Sequence, residues 1–168
     1  MSPQARLSAL FRLCGGRVQP EYPEEHGGVQ LLAEAFSELE ILTGEWRELL
    51  TEMETPAADW AVFRMEAAGD ETAWENLFVY FLFHYLPSSA AGGEALAGAK
   101  LCAACFLMVR EAAFLLWRRE GRRWSRALLE RAARLFAREF EHDRDNVDQM
   151  LFAMHGGYFR QRVFLRLI

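Results

Sequence analysis

Apolar positions recur along this chain at the three- and four-residue steps of a helix, with polar and glycine-rich punctuation between the runs. A short first helix is predicted around Arg6 to Leu13, ending at Gly15-Gly16, and residues 17 to 28 read as a polar connection. Leu31, Leu32, Ala35, Phe36, Leu39 and Leu42 then place a helix over Val29 to Leu42. Thr43-Gly44 breaks or kinks it, and Trp46, Leu49, Leu50 and Met53 continue the stripe. Thr55-Pro56 suits a helix start, because threonine can cap and proline fits the first helical position. Gly69-Asp70 closes that element, and Thr72 with Glu75 forms a capping-box pattern opening an apolar helix that runs to Leu86 and stops at Pro87.

Residues 88 to 93 read as a flexible connection. The segment from about Glu94 to Glu120 is apolar on nearly all sides and is expected to be the central helix. Gly121 ends it, Ser125 caps the next, and Leu128, Leu129, Ala132, Leu135, Phe136 and Phe140 carry that helix into an acidic stretch. Asp143 or Asp145 can cap a further helix through Met154, and a last amphipathic piece follows Gly156-Gly157 to Ile168. No period-two strand signal survives. The expectation is an all-α single domain over residues 1–168, a bundle of six to eight helices around one apolar helix.

Composition sharpens this picture. A chain of 168 residues, 52% hydrophobic and 13% aromatic, can bury a full-sized core with apolar surface to spare for a partner. The formal net charge of −5 argues against a general nucleic-acid binder. Arg118, Arg119, Arg122, Arg123, Arg126, Arg131 and Arg134 cluster, while the N-terminal half carries most of the acids, which favours pairing within the molecule. The run from Leu101 to Trp117 is interrupted by Arg110 and Glu111, so a core helix is favoured over a membrane span. Three cysteines and no signal peptide suit a reducing cytoplasm.

The densest chemistry lies in the run from Arg138 to Asn146, where Glu139, Glu141, His142, Asp143 and Asp145 crowd the end of an apolar-periodic helix. Glu139 and His142 stand three apart, the spacing of a carboxylate–imidazole pair on one helix face. Dimetal bundles need that pair twice, and the sequence has it once, so no metal site is expected. The plain alternative is a set of solvated acids, with His142 bonded to a carbonyl or carboxylate. Cys102 and Cys105 make a Cys-x-x-Cys inside an apolar helix, where nothing lowers a thiol pKa, so buried packing is expected. The aromatic stripe of Trp74, Leu77, Phe78, Phe81, Phe83 and Tyr85, with Trp117 and Trp124, fits core before ligand pocket.

Four pieces carry a family resemblance: Leu39 to Leu42 followed by Glu45, Trp46 and Leu49; Glu75 to Phe83 ending at Leu86-Pro87; the long apolar helix; and Ala137 to Asp143 with Asn146. Their order resembles the C-terminal helical region of the flagellin lysine N-methylase family, over most of residues 30 to 155. The resemblance implies methyl transfer from S-adenosylmethionine to a protein lysine. It implies Glu139, Glu141, His142 and Asn146 as catalytic residues, with Tyr80 and His84 binding substrate. The family's N-terminal part carries clustered cysteines suited to an iron–sulfur cluster, and Cys14, Cys102 and Cys105 do not reproduce them. No cofactor is therefore expected in this chain, although S-adenosylmethionine and a cluster are implied for a complete family member. The chain then reads as a helical domain for substrate docking or the active-site wall, not catalytically complete alone. Its partners would be a cysteine-rich domain or a protein substrate, with neither nucleic acid nor membrane. The alternative is a non-catalytic helical module that binds a protein partner or an apolar ligand.

Overall fold

The computed structural model describes residues 3–16, 28–55, 59–156 and 159–167. They form α1 (Pro3–Leu13), α2 (Gly28–Ser37), α3 (Gly44–Met53), α4 (Trp60–Ala67), α5 (Glu71–Ala91), α6 (Ala95–Arg119), α7 (Arg126–Phe136), α8 (Arg144–His155) and α9 (Gln161–Leu167). A 3₁₀ turn (Ala68–Asp70) joins α4 to α5, and a π turn (Ala137–Glu141) extends α7. No strand occurs among the described residues, and the fold is all-α.

The apolar run that marks α6 as central does place it in the middle. Leu101 to Cys105, Leu107 to Val109 and Ala112 to Trp117 are all buried, with neighbours on every side. Small residues make close approach possible: a Cβ at Gly98 would lie 2.5 Å from the Ser89 Cβ on α5. The two polar groups in the run are enclosed by protein. Arg110 pairs with Glu111 at 3.1 Å, and its guanidinium lies 4.7 Å from the centre of the Trp60 ring. Burial lowers the Arg110 pKa and raises that of Glu111, each opposed by the other's charge. No described helix is long and apolar enough to cross a membrane.

The arginine stretch pairs inside the molecule. Arg122 reaches Asp59 at 2.7 Å, Arg126 reaches Asp70 at 3.1 Å, Arg131 reaches Glu45 at 2.5 Å, and Arg119 contacts Glu52. These are surface pairs, each contributing at most about 1 kcal/mol, so they align elements already packed through the core. The indoles do the same from a drier setting: Trp117 Nε1 donates to Glu66 at 3.0 Å and Trp124 Nε1 to Asp70 at 2.8 Å.

Three element boundaries differ from the sequence expectation. Helix α5 does not stop at Pro87 but continues to Ala91, covering much of the connection expected at 88–93. Proline removes one helical donor there, but Ser88 and Ser89 hydroxyls both donate to the Tyr85 carbonyl at 3.1 and 3.0 Å, and Ser89 is wedged against Gly98. Thr72 is not a cap, since α5 begins at Glu71 and the Asp70 carboxylate is engaged by Trp124 and Arg126. Helix α2 ends at Ser37, well before Leu42, because the backbone that follows is bonded elsewhere. The connection at 17–28 lies almost wholly outside the described residues, as do Pro56 and Gly157.

Candidate functional site

The run from Arg138 to Asn146 folds as the π turn, a bend at His142 and the first turn of α8. The wider π turn keeps both Glu139 and Phe140 in the interior while Glu141 and His142 face outward. Asp143 caps α8, its carboxylate accepting from the N–H groups of Asp145 at 2.9 Å and Asn146 at 3.1 Å.

Glu139 and Asn146 face the connection between α2 and α3. Asn146 Oδ1 accepts from the Glu40 N–H at 3.0 Å, and its Nδ2 donates to the carbonyls of Glu40 at 3.0 Å and Glu139 at 3.2 Å. The Glu139 carboxylate accepts from the Leu42 N–H at 2.7 Å, from the Thr43 N–H at 3.3 Å and from the Thr43 hydroxyl. Thr43 in turn caps α3. Every polar atom of the Asn146 amide is thus bonded to backbone, and Glu139 is only 3% exposed. These part-buried bonds take up the backbone groups of residues 40 to 43 that end α2 early.

The other four expected site residues lie together on the opposite side of the π turn. Tyr80 Oη donates to Glu141 Oε2 at 2.9 Å. The His84 ring stacks on Tyr80 with centroids 5.5 Å apart, and it sits edge-on to Tyr85 at 4.6 Å. His84, Tyr85, Glu141 and His142 line one cleft of about 440 Å³, together with Glu94, Arg144 and Asp148. His84 is exposed. Tyr80, His84 and His142 therefore converge, and Glu139 does not join them.

Burial and the Glu141 carboxylate push the Tyr80 pKa up to about 12, so its hydroxyl remains a donor at neutral pH. Tyr85 is raised further, by burial first and then by neighbouring acidic groups. Its ring is buried, and its hydroxyl finds no hydrogen-bond partner among the described residues although the residue lines the cleft. A buried hydroxyl left unbonded costs about 1–3 kcal/mol. Tyr85 was not singled out in the sequence beyond the aromatic stripe. The available signal was a lone hydroxyl on the inward face of α5, at Phe81, Tyr85 and Ser89, where phenylalanine would pack as well.

The cysteines do not suit a metal or cluster. Cys102 Sγ donates to the Phe81 carbonyl at 3.3 Å, and burial pushes its thiol up to about 12. Cys105 is buried and raised as well, so neither is a ready thiolate. Cys14 sits just after α1. Among the described residues no three His, Cys, Asp or Glu side chains are grouped to hold a metal ion.

The profile of the FliB lysine N-methylase C-terminal domain matches residues 18–160. The chain belongs to this family. The match spans both polar clusters and all of the central helix, and agrees in place with the resemblance carried by the helix order. No curated protein and no solved structure matches the chain.

Proposed function

We propose that this FliB-type C-terminal domain receives the substrate lysine, docking its ammonium in the cleft between α5 and the π turn. The observation that carries this reading is the open group of His84, Glu141 and His142 in one cleft, with Tyr80 stacked on His84 and bonded to Glu141. An ammonium offers three donors and needs acceptors and a counter-charge. Glu141 supplies charge, and the exposed oxygen of Tyr80 can accept. The lysine nitrogen must shed a proton before it attacks a methyl carbon, and Glu141 or His142 stands where that proton can go. Glu139 and Asn146 act at one remove, fixing the π turn that aims Glu141 and His142.

S-adenosylmethionine is the methyl donor that the family implies, and we place it, with any cluster, outside this cleft. The thiols do not fit a cluster. The domain acts in the cytoplasm on a protein substrate, with no role for nucleic acid or membrane.

A calorimetric titration with two peptides, identical except that one carries norleucine in place of lysine, tests the reading. The lysine peptide should bind more tightly, and Glu141→Gln should erase the difference. Equal binding of both peptides by the unmodified chain would overturn it.

A further inference from the structure

Helix α5 carries no Asp, Glu, Lys or Arg from Asn76 to Ala91, although one whole side of it meets solvent. Its inner side, at Phe81, Tyr85 and Ser89, packs on α6 and α7. On the outer side Phe83 is 80% exposed and Val79 44% exposed, one helical turn apart. Charged residues normally cover such a face, and an uncharged apolar stripe of this kind marks an interaction surface.

The stripe is continuous with the cleft. Tyr80 and His84 follow Val79 and Phe83 by one residue each, about 100° around the helix; His84 lines the cleft, and Tyr80 stacks on it. A chain lying on the stripe would therefore carry one side chain into the cleft. Glu94, Glu141 and Asp148 line the cleft with one arginine, Arg144; Glu94 is engaged by His155 at 3.0 Å, and the two remaining acids still make a cationic side chain the complementary one. That acidity also disfavours an anionic lipid surface as the occupant of the adjoining stripe.

Resting on the lysine-docking reading, we propose that Val79 and Phe83 select the sequence around the lysine. The occupant is a protein segment with apolar side chains within one helical turn of the target lysine. The apolar residues cover Phe83 and Val79 while the ammonium enters beside Glu141. Specificity is then divided: charge in the cleft chooses lysine, and α5 chooses which lysine.

Four synthetic peptides test this with the full chain: lysine or norleucine at the centre, each with leucine or serine flanks. The lysine peptide with leucine flanks should bind best, and serine flanks should weaken it about tenfold. Phe83→Asp should remove the flank effect and keep the preference for lysine over norleucine. A flank effect absent from the unmodified chain, or unchanged in Phe83→Asp, would overturn the proposal. Equal binding of lysine and norleucine with the flank effect intact would instead overturn the lysine reading and reduce α5 to an unselective apolar face. A concentration-dependent dimer abolished by Phe83→Asp in sedimentation would assign the stripe to a second copy of this chain and also overturn it.

Discussion

Two polar clusters occupy one short stretch of chain and differ in what their atoms are bonded to. Glu139 and Asn146 spend their oxygens and amide on the backbone of residues 40 to 43, and they are buried. Glu141 and His142 line an open cleft with His84, and Tyr80 bonds Glu141 beside it. Density of ionisable residues is thus a poor guide to chemistry by itself. The useful distinction is whether local backbone has already consumed the polar atoms.

The comparison breaks most visibly at the inner cluster. Glu139→Ala leaves two backbone N–H groups and a threonine hydroxyl without their acceptor, and should lower stability by about 2–4 kcal/mol. Asn146→Ala should cost about 1–3 kcal/mol for the same kind of reason. Because both hold one connection, the double variant should lose less than the sum. Denaturant unfolding of the three variants measures this, and costs under about 0.5 kcal/mol would show that the connection holds without them.

Glu141→Gln sharpens the other side. Its partner is one half-exposed tyrosine, so unfolding should change by less than about 0.5 kcal/mol. Lysine-peptide affinity should fall about tenfold, as expected for losing a charge-assisted contact. A stability loss comparable with that of Glu139→Ala would remove the distinction between the clusters.

Much of the fold was legible because period and punctuation agree. The central helix follows from apolar residues on all sides, and the internal pairing of the arginines follows from charge segregation along the chain. Three things were hidden for physical reasons. Pro87 is a sound stop signal for an isolated helix, but serine back-bonding and the Gly98 contact are tertiary facts that override it. The early end of α2 depends on residues about a hundred positions away in sequence, so Leu39 and Leu42 look helical locally. Within the polar run, four residues are site candidates, yet sequence alone does not separate Glu139 from Glu141. A two-residue offset decides sides only once the π turn sets the helix phase.

A smaller effect follows from the tyrosines. Tyr80 is raised from 10.0 to about 12, so its neutral form is favoured in the folded state. Its contribution to stability is fully present below the unfolded pKa and is lost as pH rises from about 10 to 12. Absorbance titration of the folded chain should show Tyr80 ionising late, and Tyr80→Phe should remove that late component. Ionisation at the ordinary tyrosine pKa would contradict the contact with Glu141.

Smallest of all is the response to the methyl donor. The chain should give a flat calorimetric trace with S-adenosylmethionine and transfer no methyl group to a lysine-rich protein. Saturable micromolar binding lost in His142→Ala would place the donor in this domain.

The central claim is that the outer cluster takes a ligand and the inner one holds the fold. Nuclear magnetic resonance during titration with a lysine peptide reads both at once. The imidazole signals of His84 and His142 should move saturably, while the backbone amides of Glu40, Leu42 and Thr43 stay in place. Silent imidazoles, or shifts concentrated at those three amides, would contradict the account.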